Sequence, residues 1–183
     1  MLIDAGYYDF YGSSHFKNYY TRSIAHNIVT VFDSTEVFYY GNEIVSNDGG
    51  QKYSDPMMNL TDVLSTQFQR GRWLTYSEWN NVCYGAVDVS LSYNSPNVKK
   101  YTRRIIFQKP DKFIVLDNLI IKSSSPSGYA PEVRWLAHFK NQPQMNGQVI
   151  ENIVPGHIET FNGKIYSATN GTGKISIKTL LPD

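Results

Sequence analysis

Apolar and polar residues alternate along most of this chain. The heptapeptide VDVSLSY at residues 87–93 places valine, leucine and tyrosine at every second position, with aspartate and serine between them. Successive side chains of a strand point to opposite faces, so a period of two is typical of a strand with one buried face. The same pattern predicts further strands at residues 101–108, 113–121, 133–139, 157–161, 164–168 and 174–181.

Turn residues separate the predicted strands and indicate how they pair. Pro110 and Asp111 lie between two of them, where proline presets one backbone dihedral and aspartate caps the bend. The Asn-Gly pair at residues 162–163 fits a tight type I′ turn between two strands. Residues 170–173, NGTG, form a further turn before the last strand. Consecutive strands joined in this way are antiparallel.

The length and the element pattern together predict one all-β domain. Only residues 56–69 lack a clean strand alternation and suit a short helix. A chain of 183 residues can bury roughly 70% of its unfolded surface in one core. We therefore predict a two-layered antiparallel β-sandwich over residues 1–183. Because the chain begins inside an apolar segment and stops abruptly at LLPD, we expect this domain to be truncated at both ends.

The charge and hydropathy of the chain exclude two classes of partner. Seventeen basic and sixteen acidic residues leave a formal charge of +1, which is no electrostatic footprint for nucleic acid. The sequence contains no run of about 18 apolar residues, so it predicts no membrane-spanning helix. It also shows no signal peptide, since the first residues lack a basic opening and a long apolar stretch.

The search for a self-contained catalytic centre finds none. The four histidines do not form the His-Glu-x-x-His pattern of zinc hydrolases, and no serine stands in Gly-x-Ser-x-Gly. The sequence favours a structural role for His138 and an exposed turn position for His157. His15 lies in a polar stretch, where solvent and a substrate are equally suitable partners.

Asp4 and His26 are the one pair that could share a site. The segment LIDAG suits a short strand that ends in a carboxylate, and residues 7–21 could loop out and return His26 beside it. An aspartate and a neutral imidazole are half of a zinc shell, whereas a structural zinc takes four ligands and a catalytic zinc three plus water. The alternative is an Asp4–His26 hydrogen bond that holds the loop.

An ordered series of short segments resembles a known family. The segments are LIDAGYY, NYYTRSIAHNIVTVFD, NDGGQ, VKKYTRRIIF, FIVLDNL, WLAHFKNQPQ and LLPD, and they cover almost the whole chain. In this order they resemble the central β domain of the heparinase II/III-like polysaccharide lyases, closest to heparinase II. The resemblance implies a β domain that packs against an N-terminal α-helical toroid, with the substrate cleft between them.

The resemblance also implies chemistry for three residues. Such lyases cleave uronic-acid glycans of the heparin, heparan sulfate or alginate type by β-elimination, in which a base removes the C5 proton and the oxygen at C4 leaves. Asp4 and His26 match residues that hold a zinc ion organising the cleft wall, and Tyr8 matches a tyrosine that lines the cleft. The substrates of the family imply a periplasmic or secreted protein.

The sequence also departs from the family pattern. The His-x-His-Leu-Asp-x-Gly segment, which carries a catalytic histidine and a third zinc ligand, is not found before LIDAG, and the helical toroid is absent. We therefore expect this fragment to be inactive alone and to bind zinc only with the upstream ligand present. The rival interpretation is a non-catalytic carbohydrate-binding or structural β-sandwich module, since fourteen tyrosines suit both pleated sheets and sugar-binding walls.

Overall fold

The chain is built mostly of antiparallel strands. A computed structural model describes residues 2–4, 6–52, 61, 64, 68–93, 96–122, 128, 130–149 and 165–180. Its strands are β1 Val29–Phe32, β2 Phe38–Tyr40, β3 Glu43–Val45, β4 Arg72–Trp79, β5 Val82–Asp88, β6 Val98–Gln108, β7 Lys112–Ile121, β8 Glu132–Trp135, β9 Gln144–Met145, β10 Gln148–Val149, β11 Ile165–Asn170 and β12 Gly173–Lys178. Short helical turns cover Phe16–Tyr20, Ser23–Ala25 and Ser90–Ser92. No helix within the described ranges is long and apolar enough to cross a membrane.

The largest sheet confirms the prediction of paired antiparallel strands. Strands β4, β5, β6 and β7 pair in chain order as a meander, and their registers are continuous apart from irregularities near Leu74 and Lys99. The strands predicted at residues 101–108 and 113–121 lie within β6 and β7, and residues 109–111 form the turn between them. Long alternating runs with a turn signal between them suffice to specify this hairpin.

A second layer packs on one end of this sheet. Strand β1 pairs antiparallel with β8, and Val29 and Val31 of β1 are buried against Val98, Tyr101 and the nearby Tyr93. The buried Tyr93 hydroxyl donates a hydrogen bond to the Val29 carbonyl at 2.5 Å. Because a buried hydroxyl needs a partner, this bond fixes the distance between the two layers as well as filling the core.

The strand predicted at residues 87–93 is only partly correct. Strand β5 ends at Asp88, and a 3₁₀ turn follows from Ser90 to Ser92. The Asp88 carboxylate accepts hydrogen bonds from the Ser90 backbone N–H at 3.0 Å and from the Ser90 hydroxyl at 2.5 Å. An aspartate that bonds to the backbone two residues later offers a turn in place of the sheet ladder. The alternation of apolar and polar residues therefore continues through the turn at Ser90–Ser92, although the Asp88 side chain has ended the strand.

The strand predicted at residues 133–139 is also shorter than its pattern. Strand β8 spans Glu132–Trp135, and the Leu136 N–H adds one further bond to the Ile28 carbonyl at 2.9 Å. Beyond this point the chain pairs with the amino-terminal segment: the Ile3 N–H donates to the His138 carbonyl at 3.0 Å, and Leu2 bridges Phe139. Among the described residues of LIDAG, the expected strand is thus a single bridge at Leu2.

The carboxyl-terminal sheet agrees with the predicted turn at residues 170–173. Strands β11 and β12 form a hairpin with Asn170 opposite Gly173, and β9 and β10 complete a four-stranded sheet. The last strand ends at Lys178, before the predicted boundary. The turn predicted at residues 162–163 lies outside the described residues, as does most of the predicted helix at residues 56–69.

A glycine-containing segment crosses close to β1. The Val31 N–H donates to the Gly49 carbonyl at 2.6 Å, and a Cβ atom placed on Gly49 would lie 2.6 Å from the Phe32 Cα atom. Gly49 also has a φ of +64°, a conformation in which other residues are strained. Gly49 thus meets two separate requirements for glycine, and both depend on its position against β1.

We predict that Gly49→Ala destabilises the fold far more than Gly171→Ala. Gly171 has a similar φ of +59°, but a Cβ atom added there would meet no atom within 4 Å. The Gly171→Ala variant therefore measures the cost of the backbone strain alone. That strain costs about 1–2 kcal/mol, and the backbone collision at Gly49 adds about 1–3 kcal/mol or more. Urea unfolding of both variants measures the difference. Equal losses of unfolding free energy would contradict the close approach to β1.

Candidate functional site

Asp4 and His26 lie in direct contact, although 22 positions separate them. The Asp4 Oδ1 atom is 2.5 Å from the His26 Nδ1 atom. The Asp4 side chain is 75% exposed and the His26 side chain 38% exposed, so the pair lies at the surface. The structure therefore brings together the two residues that the sequence selects, in the direct Asp4–His26 hydrogen bond that is the alternative to a shared metal ion.

A short turn delivers His26 to this position. His26 ends the 3₁₀ turn Ser23–Ala25, and its N–H donates to the Ser23 carbonyl at 3.1 Å. Strand β1 begins only at Val29, three residues after His26. A helical turn that ends in the extended residue His26 thus presents the imidazole to Asp4.

A buried ion pair holds the turn in place. The Asp48 carboxylate lies 2.5 Å from an Arg22 guanidinium nitrogen and accepts the Ile24 N–H at 3.0 Å. The two charged side chains are 1% and 4% exposed, and the Arg22 guanidinium also lies over the Phe38 ring at 4.2 Å. Removing one member of a buried pair costs about 3–5 kcal/mol, because the remaining charge loses its partner. The NDGGQ segment thus supports the turn that carries His26.

Asn27 joins the segment that carries Asp4 to the chain beyond β8. Its side-chain N–H donates to the Ile3 carbonyl at 3.0 Å, and its side-chain oxygen accepts the His138 N–H at 2.7 Å. Both halves of the amide are therefore used, one by the residue before Asp4 and the other by the chain beyond β8. An asparagine immediately after His26 fixes the position of Asp4 relative to the histidine.

The main chain of Asn27 is anchored to the large sheet. Its carbonyl accepts a hydrogen bond from Arg103 at 3.3 Å, and Arg103 forms a two-bond contact with Asp117 at 2.7 and 2.8 Å. The Tyr101 hydroxyl donates to the same aspartate at 3.0 Å. Burial raises the pKa of the Tyr101 hydroxyl, which keeps it protonated as a donor. Arginine is suited to this position because its planar group can bind a carboxylate and a carbonyl together.

Tyr8 lies on the same amino-terminal segment as Asp4 and is 38% exposed. Its ring packs edge-on against Phe16 at 4.9 Å and Tyr20 at 4.7 Å. Phe16 is buried, and Tyr11 also contacts it at 4.8 Å between ring centroids. Tyr8 is thus partly exposed and partly packed in a cluster of aromatic rings within residues 7–20. The sequence pattern does not predict this cluster.

The other histidines have different surroundings. His15 is exposed and stacks on Tyr19 at 5.3 Å between ring centroids. His138 is half-buried close to the pair, and burial lowers the pKa of its imidazole. His157 lies outside the described residues. Sequence reasoning assigned His138 a structural role but did not place it beside Asp4 and His26.

The donor atoms of Asp4 and His26 fit the preferences of zinc in type but not in number. A carboxylate oxygen and an imidazole nitrogen are both common zinc ligands. Among the residues that the structure describes, no group of three or more His, Cys, Asp or Glu side chains could hold a metal ion. The pair could therefore contribute half of a tetrahedral shell, with the remaining ligands supplied from elsewhere.

Comparison of the chain with models of protein families gives no match, and comparison with curated proteins gives none either. The function is therefore inferred from the residues and their geometry.

We predict that Asn27→Asp loosens the contact between the strand ends. The substitution keeps the acceptor for the His138 N–H but replaces the donor to the Ile3 carbonyl with a second acceptor. Leaving this half-buried carbonyl without its donor costs about 1 kcal/mol. Faster hydrogen exchange at the Ile3 and His138 amides, together with a lower unfolding free energy, is the expected result.

Asn18→Asp is the matched control for this experiment. The Asn18 amide also bridges two segments, donating to the Ser14 carbonyl at 3.0 Å and accepting the Ser46 N–H at 2.7 Å, but these bonds are exposed to solvent. Water can replace them, so we expect a smaller loss of stability. If the two variants behave alike, Asn27 is not the link that the structure indicates.

Proposed function

We propose that this chain is the β domain of a heparinase II/III-like polysaccharide lyase, contributing metal ligands and one wall of the substrate cleft. One observation carries the proposal, the contact between Asp4 and His26 at 2.5 Å. The resemblance selects these two residues from matching segments alone, independently of their geometry. Their convergence across a separation of 22 positions supports the match.

The role of the chain's own residues in this function is to bind and to orient. Asp4 and His26 would hold a zinc ion, which when bound supplies a fixed positive charge that organises the cleft wall. Ligands must be deprotonated to coordinate a metal, so binding would release the proton that the two side chains share. Tyr8, one edge of which is exposed, would contribute a flat apolar surface with a polar tip to the same wall.

The reaction that we propose is β-elimination on an acidic, uronic-acid glycan. The C5 proton is weakly acidic, so a positioned base and neutralisation of the uronate charge are both needed. A positioned acid or base contributes about 10²–10⁴-fold to a rate. In this proposal an N-terminal α-helical toroid supplies that base, and the two-layered β-sandwich completes the cleft. Such glycans lie outside the cytoplasm, so the protein would be periplasmic or secreted.

The test is made on the whole gene product that contains this chain. We expect it to bind zinc and to form the unsaturated uronate product, detected by its ultraviolet absorbance, from a panel of heparin, heparan sulfate and alginate. His26→Ala should lose the zinc, and with it about 10²-fold or more of the activity, since outer supports of metal sites alone cost about 10–100-fold.

His15→Ala is the matched control for the metal measurement, because His15 is also exposed but stacks on Tyr19 and is not a proposed ligand. Its zinc content should equal that of the unmodified protein. A gene product that binds no zinc and cleaves none of these glycans would refute the proposal.

A second candidate function, glycan binding without cleavage, is favoured by the exposed end of the large sheet. The Trp73 ring lies over Gly85, where an added Cβ atom would be 3.3 Å from the ring, and the side chain is 72% exposed. Tyr76 and Ile105 pair with Gly85 and so share this face. An exposed indole whose edge reaches a glycine of the neighbouring strand offers an apolar ring face on which a sugar ring can stack.

We predict that Trp73→Ala lowers glycan affinity about tenfold under this second function, which corresponds to about 1.4 kcal/mol. Trp79→Ala is the control, since Trp79 is also exposed but lies three residues after Tyr76, on the opposite face. Isothermal titration of the gene product against the same glycan panel measures both. Unchanged affinity in the Trp73 variant removes this candidate.

A further inference from the structure

The strand registers of the large sheet sort its charged side chains by face. They pair Arg104 with Ala86 on one side and with Leu116 on the other, and they pair Thr102 with Asp88. Because side chains two residues apart along a strand point the same way, all of these side chains share one face. We call it the basic face, since besides Asp88 its charged residues are Arg72, Lys100, Arg104 and Lys112.

The opposite face of the sheet makes the contacts to the second layer. Tyr101 packs there against β1, and Arg103 donates to the Asn27 carbonyl at 3.3 Å. The carboxylates of Glu78 and Asp117 are on that face as well. The basic face therefore points away from β1 and holds four cations with a single carboxylate. In a chain with a formal charge of +1, this excess of cations comes from the strand register and not from the composition.

Arg104 differs from the other arginines in its partners. The chain has six arginines, and the side chains of five of them contact a carboxylate or a backbone carbonyl: Arg22, Arg70, Arg72, Arg103 and Arg134. Within the part of the chain that the structure describes, the half-buried Arg104 side chain makes no hydrogen bond or ion pair, and neither does that of the exposed Lys100. The planar guanidinium of Arg104 thus keeps its donors for an acceptor outside this chain.

Apolar surface separates the cations of the basic face. Lys100 and Arg104 are four residues apart on β6, a distance of about 13 Å at the usual rise of a strand. Leu116, opposite Arg104, is 40% exposed, and Ile120, opposite Lys100, is 47% exposed. Arg72 lies two strands from β6, at about 10 Å. The face therefore presents single charges with exposed aliphatic side chains beside them.

We propose that the basic face binds an acidic glycan, at a place remote from the Asp4–His26 pair, with Arg104 as the main contact. A sugar ring has apolar C–H faces that can cover Leu116 and Ile120, and in a uronic-acid glycan the rings separate one anionic group from the next. A guanidinium can bind a carboxylate or a sulfate through two parallel hydrogen bonds.

The spacing of the cations favours a glycan over nucleic acid. Duplex DNA carries one charge per about 1.7 Å of helix axis and is bound through many phosphate contacts, which a few widely spaced cations do not supply. The choice of a uronic-acid glycan rests on the proposed function, whereas the presence of a binding face for a sparsely charged polymer does not.

The test measures the affinity of the whole gene product for alginate and for heparan sulfate, with dextran as the uncharged polymer. The protein carries His26→Ala, so that under the proposed function it does not cleave the polymer during the titration. We expect Arg104→Gln to lower the affinity for the acidic polymer about tenfold. Lys100→Gln should lower it about two- to fourfold, because an exposed ion pair contributes less. Dextran should not bind.

Two variants serve as controls. Lys112→Gln removes the same charge from the same face, but Lys112 pairs with Gln108 at the other end of β6, so the affinity should change less than about twofold. Arg104→Lys keeps the charge without the two parallel donors and should restore only part of the affinity. If Arg104→Gln fails to fold, the contrast between Lys100 and Lys112 decides the question.

Three results would overturn the proposal. They are an equal loss of affinity in the Lys112 variant, no binding of either acidic glycan, and equally tight, Arg104-dependent binding of duplex DNA or of vesicles that contain phosphatidylserine. Arg104-dependent glycan binding by a gene product without zinc or lyase activity would support the basic face and refute the lyase. Cleavage of the glycan with a KM that Arg104→Gln leaves unchanged, measured with His26 restored, would do the reverse.

Discussion

Three segments of the chain are tied together by the hydrogen bonds around Asn27. The side-chain N–H of Asn27 donates to the segment before Asp4, and its side-chain oxygen accepts from the segment beyond β8. The Asn27 carbonyl accepts from Arg103 of the large sheet. Because leaving the bonds of a half-buried amide unmade costs free energy, Asn27 favours this arrangement of its neighbours. The Asn27 bonds support the position of Asp4 beside His26, and the proposed metal site depends on that position.

The fold was predictable where a strand is long and its neighbour follows closely. Strands β6 and β7 have 11 and 10 residues and one short turn between them, so alternation and turn residues specify both partners. The prediction failed at residues 89–93, because the Asp88 side chain ends the ladder while the apolar pattern continues. The predicted strand at residues 133–139 also extends past the end of β8 at Trp135, because the chain there leaves β1 and pairs with the amino-terminal segment.

The candidate site was predictable only in part, for a related reason. Asp4 and His26 could be selected because residue type and matching segments both favour them. The residues that hold them could not, since Asn27 meets His138 across 111 positions and Arg103 across 76. Contacts over such distances depend on the completed packing of the two layers and leave no periodic signal in the sequence. The half-buried His138 is the clearest example, because its strand pattern gave no indication that it lies beside the pair.

The most direct test of the central claim is anomalous X-ray diffraction at the zinc edge, from crystals of the whole gene product grown with zinc. The account predicts one strong peak within bonding distance of the Asp4 carboxylate and the His26 imidazole. Crystals in which these two side chains lie apart, or in which they are in contact but no peak adjoins them, would contradict it.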